Sequence, residues 1–321
     1  MKYRFIFIIV IILTNVSVCS FAYPKNTEWI NYLACDYLYT LIEEEDIIWA
    51  GSSMGLIKIN KDTGSISDIH TIFNSCLPYE HVTSIVIDED GVKWIGTSYG
   101  LTKFDGTNWT TYDTSNSDIP DEVIKSLAID RSGNLLVGTR RGGLVKFDGE
   151  TWTTYNTSNS GLLSNWVYSI AVESNGKIWI GTYKGLTEFD NIDWLTYNTS
   201  NSNLPSDRIN FIAIDKTNYK WIGTDGGGLA KYDGIDWVTF NTANSIIPED
   251  RINTISFDKD GNTWIGTFNG IGKYDGSHWT IYNTSNSNIP DNRISTIITD
   301  VLGNIWTGTS YGIIAKYDFS K

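Results

Sequence analysis

The sequence predicts an all-β protein: a seven-bladed β-propeller of four-stranded antiparallel blades, closed by an N-terminal strand that completes the last blade. Three observations predict it. The phrase "KWIGTSYGLTKFDGTNWTTYDTSNSDIP", Lys93 to Pro120, returns as "IWIGTYKGLTEFDNIDWLTYNTSNSNLP", "KWIGTDGGGLAKYDGIDWVTFNTANSIIP" and "TWIGTFNGIGKYDGSHWTIYNTSNSNIP". Its marker falls at Trp49, Trp94, Leu136 (in "LLVGT"), Trp179, Trp221, Trp264 and Trp306, a spacing of 42 to 45 residues that makes seven units. Each unit holds four short runs rich in β-branched and aromatic residues, and helix-length periodic stretches are absent.

Taken in order, the chain opens with Lys2 and Arg4, an apolar run from Phe5 to Leu13, and small residues ending at Ser20 and Ala22. This is the layout of a secretory signal peptide over residues 1–22, cleaved after Ala22, with the propeller filling 23–321. The run is shorter than the roughly 20 apolar residues a spanning helix needs. No other segment approaches that length, so no transmembrane segment is expected after cleavage, and the mature protein is expected in the periplasm or secreted. The alternative is a lipoprotein anchor at Cys19, against which Val18 stands where a small residue is expected.

Next comes "NTEWINYLA", which matches "GSHWTIYNT" with Trp29 at the fourth-strand tryptophan, while the C-terminal "AKYDFSK" stops after the third strand of its unit. The N-terminal strand is thus expected to complete the seventh blade and leave no free sheet edge. Within a unit the strands are expected from "VTSIVID" (Val82), "VKWIGT" (Val92), "LTKF" (Leu101) and "WTTY" (Trp109). Hairpins join them at "DEDG" (Asp88–Gly91) and "DKDG" (Asp258–Gly261), and at the "FDG" or "YDG" glycines Gly106, Gly149, Gly234 and Gly276, because Asp and Gly suit tight turns. "DxDG" is read as a turn and not a calcium loop, since other copies read "DRSG", "ESNG" and "DKTN". Twelve of the thirteen tryptophans recur by register, six on second strands and six on fourth strands, as packing between twisted sheets requires. Only Trp166 has no counterpart.

Composition narrows the function classes. The full chain carries a net charge of −13, and loss of Lys2 and Arg4 with the leader takes it to −15. Such a surface repels nucleic acid and anionic lipid, so neither is expected as a partner. Cleavage also removes Cys19 and leaves Cys35 and Cys76, either two separate thiols or one disulfide. No nucleotide loop, metal cluster or serine–histidine arrangement is present, and no cofactor is expected.

"LPSDRINFIAIDKTNYKWIGTDGGGLAKYDG", Leu204 to Gly234, resembles the two-component regulator propeller repeat of extracytoplasmic sensor regions in bacterial hybrid histidine kinases. The combination of "W-I-G-T", "G-L-x-K-F/Y-D-G" and "L/I-P-x-D-x-I" is specific to that repeat, and the likeness extends over the whole mature chain. It implies a seven-bladed propeller and ligand sensing, often of carbohydrates. Sensors of that family continue into a further β-domain, a membrane helix and a kinase, whereas this chain stops when one ring is complete, so no kinase activity is expected.

Positions that are alike in every blade do one job seven times, so a unique site is sought where blades differ. The "TSNS" loops at Thr114, Thr157, Thr199 and Thr284 are expected to be held by local Asn and Ser hydrogen bonds. Two variable rings are expected on one face. The first lies between second and third strands: Met54, Tyr99, Arg140, Arg141, Tyr183, Lys184, Asp225, Phe268 and Tyr311. The second precedes the innermost strand: Asp36, His81, Val123, Trp166, Arg208, Arg251 and Arg293. Basic groups and aromatics on an acidic protein suit an anionic ligand, with Arg pairing to carboxylate or sulfate. The bland reading has these arginines paired with Asp207, Asp250 and Asp291.

Three functions follow. The first is an exported, non-catalytic, sensor-like propeller binding a small molecule or glycan, such as an acidic carbohydrate, at the channel mouth. The second is a scaffold for an exported partner protein. The third is a polysaccharide lyase, for which His81, near Tyr99 and Arg293, is the sole conceivable base among His70, His81 and His278.

Overall fold

The computed structural model describes residues 29–33 and 37–317. The proposed signal peptide, Cys19, Cys35 and Asp36 lie outside the described residues, so the question of a Cys35–Cys76 bridge is not reached; Cys76 is exposed.

Regular structure among the described residues is all strand, in seven separate four-stranded antiparallel sheets. The second blade is typical: Val82–Ile87, Lys93–Thr97, Gly100–Phe104 and Trp109–Tyr112 pair in chain order. Its innermost strand packs on those of the blades either side, and so around the ring. Closure is as the sequence predicts. Trp29–Leu33 pairs antiparallel with Ile313–Tyr317, Trp29 opposite Tyr317, as the fourth strand of blade 7.

Why these residues make blades is visible in the repeated phrase. The "WIGT" glycine faces the next blade's inner strand: a Cβ at Gly96 would stand 2.5 Å from Ile124 Cγ2, and one at Gly181 the same distance from Ile209 Cγ2. Only glycine permits that approach. The second-strand Trp side chains are buried between sheets and, in five blades, donate Nε1–H to the carboxylate opening the first hairpin: Trp49 to Glu44, Trp179 to Glu173, Trp221 to Asp215, Trp264 to Asp258 and Trp306 to Asp300. Those aspartates also accept backbone N–H groups of their own turn, as Asp258 does from Asp260 and Asn262. The "DxDG" stretches therefore spend their carboxylates on turns and indoles. Fourth-strand tryptophans stack on the third-strand ring opposite: Trp109 on Phe104 at 4.0 Å, Trp152 on Phe147 at 4.0 Å, Trp194 on Phe189 at 3.9 Å and Trp237 on Tyr232 at 4.2 Å between centroids.

Blades are also tied across the channel wall. Ser84 Oγ accepts the backbone N–H of Leu127, Ser126 that of Ile170, Ser169 that of Ile212 and Thr254 that of Ile297. The "TSNS" loops are held locally: Asn156, Asn198 and Asn283 each accept from the serine two residues on, while Asn159, Asn201 and Asn286 donate back to strand carbonyls. A rigid disk results, and its loops carry the variable side chains.

Candidate ligand-binding face

Both predicted rings lie on one face, because each blade's second-to-third hairpin and the loop entering its inner strand are joined there by main-chain hydrogen bonds. Ser98 donates to the His81 carbonyl, Arg140 to Val123, Tyr183 to Trp166, Asp225 to Arg208 and Ser310 to Arg293. The same bond in blade 1 runs from Ser53 to Tyr37. The ring position of blade 1 is therefore Tyr37, one residue beyond the Asp36 that sequence register assigns, because Leu38 is the residue in register with Val82. The hairpins are stiff: Thr97, Thr139, Thr182, Thr224 and Thr267 are fully buried, and each hydroxyl donates to the carbonyl of the glycine that starts the third strand. Those glycines sit at positive φ, +126° at Gly100 and +137° at Gly185, where a side chain would be strained. Such support holds the intervening ring residues in fixed places.

The predicted residues separate into three groups. In the first, a cleft of about 630 Å³ opens between blades 2 and 3, lined by His81, Tyr99, Arg140 and Arg141 together with Tyr79, Lys125, Asp121 and Glu122. Tyr79 packs against His81 at 5.0 Å and Tyr99 at 4.9 Å between centroids, and Tyr99 is 55 % exposed. Among the described residues, no carboxylate lies within salt-bridge distance of Arg140, Arg141 or Lys125. Lys125 is held below the ordinary lysine range by burial first and by the Arg140 charge second, with Asp121 pulling the other way.

The second group is a clamp across blades 4 to 6. Asp225 receives Arg208 Nη1 at 2.7 Å on one oxygen and Arg251 Nε at 3.1 Å on the other. A main-chain bridge between Asp225 and Arg251 fixes the same contact. Arg208 also lies over the Tyr183 and Tyr168 rings, 5.5 and 5.8 Å from their centroids, and Arg251 lies 5.0 Å over Phe268. Trp166 connects the two groups, 5.6 Å from the Tyr183 ring and 5.5 Å below the Arg140 guanidinium. The third group is a pair on blade 7, with Arg293 5.2 Å over Tyr311. Lys184 and Met54 are exposed at their hairpin tips, outside these clusters.

The acidic partners differ from the expected ones. Asp207 and Asp250 accept the backbone N–H of Thr199 and Thr242 in the neighbouring loops, and Asp291 accepts that of Arg293. The carboxylate that neutralises Arg208 and Arg251 is Asp225, itself a ring member. His81 sits 6.0 Å from the Tyr39 ring and 5.0 Å from the Tyr79 ring, and among the described residues no contact between it and Arg293 is seen. His278 is in an opposite-face turn, where its backbone N–H donates to Asp275 Oδ1, and His70 is packed between blades 1 and 2.

Beneath the cleft is the channel itself, a cavity of about 310 Å³ lined by inner-strand residues from all seven blades. Lys125 lines both cavities. Sequence reasoning missed Tyr79 and Lys125, although each left a signal. Tyr79 breaks the repeat position that holds Asp121, Ser164, Ser206 and Asp291, each of which accepts the backbone N–H two residues on. Lys125 is the one basic residue in the seven innermost strands.

A closed ring of seven four-stranded blades, with one repeated scaffold and one face of divergent side chains, defines a seven-bladed β-propeller. Two stretches of the repeat, residues 161–184 and 246–269, match the family model described as two component regulator propeller. Both matches run from the loop before an inner strand to the hairpin after the second strand, and so include Trp166, Tyr183, Lys184, Arg251 and Phe268. No curated protein matches the chain. Among solved structures, the extracellular domain assigned to the hybrid two component system BT3049 of B. thetaiotaomicron is similar over 92 % of this chain, at 24 % identity and a TM-score of 0.78. That of BT4673 is similar over 88 %, at 23 % identity and 0.72. This chain spans 40 % and 38 % of those two. Virginiamycin B lyase from Staphylococcus aureus is similar over 90 % of this chain and 98 % of its own, at 14 % identity and 0.73. At such identities the likeness establishes the fold. No helix among the described residues is long and apolar enough to cross a membrane.

Proposed function

We propose that the protein is an exported, non-catalytic ligand-binding propeller, sensor-like in role, that captures an acidic carbohydrate in the cleft between blades 2 and 3. The observation that carries this reading is the composition of the cleft: adjacent tyrosine rings, Tyr79 and Tyr99, beside Arg140 and Arg141, for which no carboxylate partner is present among the described residues. A sugar ring stacks on the flat apolar face of an aromatic side chain, and an arginine fork pairs with the carboxylate or sulfate of an acidic sugar. The mouth of a rigid ring is also a common place for such a pocket. The two B. thetaiotaomicron relatives in fold are extracellular domains of hybrid two component systems, which supports export and sensing as the setting.

The test is a glycan array on the mature protein, followed by calorimetry with whichever acidic glycans bind. Tyr99→Ala combined with Arg141→Ala is expected to weaken binding at least ~30-fold, about 2 kcal/mol, with the melting temperature unchanged. Binding that survives the double change moves the site elsewhere on the disk.

A lyase reading draws on His81 in the cleft beside Tyr79 and on the fold shared with virginiamycin B lyase. Incubation with acidic polysaccharides separates the two: new ultraviolet absorbance from an unsaturated product, lost in His81→Ala, would replace capture by elimination chemistry.

A further inference from the structure

The channel mouth is rimmed by the second residue of six inner strands, Tyr39, Thr83, Lys125, Tyr168, Asn210 and Ser295, and in blade 6 by Asn253, which immediately precedes Thr254–Phe257. Three of these seal one blade to the next. Thr83 donates to the Ile124 carbonyl, Asn210 to Ile252 and Asn253 to Ile294. At the equivalent place blade 3 carries a lysine. No hydrogen bond or ion pair of the Lys125 ammonium is seen among the described residues, although the side chain is half-buried between two cavities.

This substitution runs against stability. It gives up an interblade hydrogen bond that a small polar residue makes elsewhere on the rim. It also withdraws a cation from water without a contacting counter-charge, and such groups are retained where something outside the fold completes them. The groups that face it are Arg140 and Arg141 from the next hairpin, Asp121 and Glu122 from the preceding loop, His81 from blade 2 across the cleft, and Tyr39 and Tyr168 on the rim. Neither carboxylate contacts the ammonium: Asp121 Oδ1 accepts from Val123 N–H and Glu122 Oε1 from the Thr114 hydroxyl, while Asp121 Oδ2 has no hydrogen-bond partner among the described residues and acts on Lys125 only through space.

We propose that Lys125 and Arg140 form the seat of a single anionic group, a carboxylate or sulfate, at the junction of the cleft and the central channel. This rests on the capture reading above and makes it more specific. Tyr79 and Tyr99 take the sugar faces, while one charged substituent points inward to the rim. Lys125 is then the residue that separates acidic ligands from their neutral counterparts, because a ligand lacking the charge leaves the ammonium without a contacting counter-charge. Arg208 and Arg251 offer no equivalent seat, since Asp225 already occupies both.

The experiment is calorimetry on the mature protein with three probes: sodium sulfate, tetragalacturonate, and the methyl ester of the same tetramer. Variants are Lys125→Asn, which restores the residue found at Asn210 and Asn253 and so keeps the rim intact, Lys125→Arg, and Tyr99→Ala. Lys125→Asn is expected to weaken sulfate and tetragalacturonate about 10- to 100-fold, the range of a charge-assisted contact, and to leave the methyl ester within about 3-fold. Lys125→Arg should retain most of the affinity for both anions. Unchanged binding of sulfate and tetragalacturonate by Lys125→Asn overturns the seat, as does an absence of sulfate binding by the unaltered protein. Loss on Tyr99→Ala would keep the cleft reading alive in those cases. Conversely, Lys125-dependent sulfate binding with no affinity for either tetramer sustains the seat and removes this sugar as its ligand.

Discussion

Two regions of one face carry the same kinds of side chain and treat them oppositely. Between blades 4 and 6, Arg208 and Arg251 close on Asp225, with Tyr183, Tyr168 and Phe268 against the guanidinium planes. Between blades 2 and 3, Arg140, Arg141 and Lys125 surround an open cleft with no contacting carboxylate among the described residues. Register places the ring residues of all these blades equivalently, so the difference does not come from the backbone. It comes from side chains at two ring positions: the first hairpin residue is an aspartate in blade 5 and an arginine in blade 3, and the ring residue ahead of the inner strand is arginine in blades 5 and 6 but valine and tryptophan in blades 3 and 4. A repeat fold can therefore hold charges in an internal tie in one place and leave them without contacting partners in another, by side-chain changes at fixed positions.

The largest effect should come from the charges buried under the clamp side. Glu173 is 2 % exposed and accepts from Trp179 Nε1 and Asn218 Nδ2, and lies 3.2 Å from the equally buried Lys220. Glu173→Ala leaves that ammonium unpaired and is expected to cost about 3–5 kcal/mol in denaturant unfolding. Burial alone would raise the Glu173 carboxyl, but the Asn218, Trp179 and Lys220 contacts outweigh it and hold the group below the usual range. A depressed carboxylate contributes stability that is present above its unfolded value and lost as pH falls through its folded value. Unfolding midpoints should therefore drop more steeply below about pH 4.5 in the parent than in Glu173→Ala. Equal acid sensitivity would show that this network does not anchor the clamp side.

A smaller effect is expected at the clamp itself. Arg208 and Arg251 are 41 % and 44 % exposed at their side chains, so solvent screens the pair and Asp225→Ala should cost only about 1 kcal/mol. The same change uncovers two arginines and should create sulfate binding on blades 4 to 6 where the parent has none. Arg141→Ala on the cleft side should leave the midpoint unchanged. If Asp225→Ala gains no anion affinity, the contrast between the regions is one of shape and not of neutralisation.

The smallest effect lies on the cleft side, at the interface of blades 1 and 2. His70 packs within 5.9 Å of Trp49, 5.8 Å of Phe104 and 5.3 Å of Trp109, where other blades place Tyr112, Tyr155 or Tyr197. Burial lowers its pKa, partly offset by Asp68 and reinforced by Lys58. The unfolded chain thus binds a proton more readily, and stability should decline as pH falls from about 6.5 toward the folded value. Thermal melts at pH 7.5 and 5.5 would show a modest drop that His70→Tyr abolishes. A drop that persists in the variant places the titrating group elsewhere.

The architecture was legible because each blade repeats the same physical solution. Trp29 could be assigned to blade 7 from the register of a single tryptophan, and Trp29–Tyr317 pairing follows from it. The candidate site residues were legible as departures from that repeat, which is how His81, Trp166 and the arginines stood out. Their partners were not. Asp225 meets Arg251 across a blade boundary, 26 positions away, whereas the nearer Asp250 is spent on Thr242. Local spacing favours neighbours in sequence, and only the folded ring reveals which carboxylate reaches which guanidinium. Tyr79 and Lys125 were missed for a related reason: each belongs to a run otherwise read as structural, a loop and a channel-wall strand.

The seam at blade 7 sets an order of events. Blades 1 to 6 can form from hairpins made of contiguous chain, but Trp29–Leu33 must wait for Ile313–Tyr317 to emerge before it finds its mate. Joining segments so distant carries the full entropic penalty of the intervening loop, so sealing the circle is expected to be the slow step of maturation. Until then the first and last sheets expose raw backbone, and a chain stalled before its final strands would be prone to pair with another like itself.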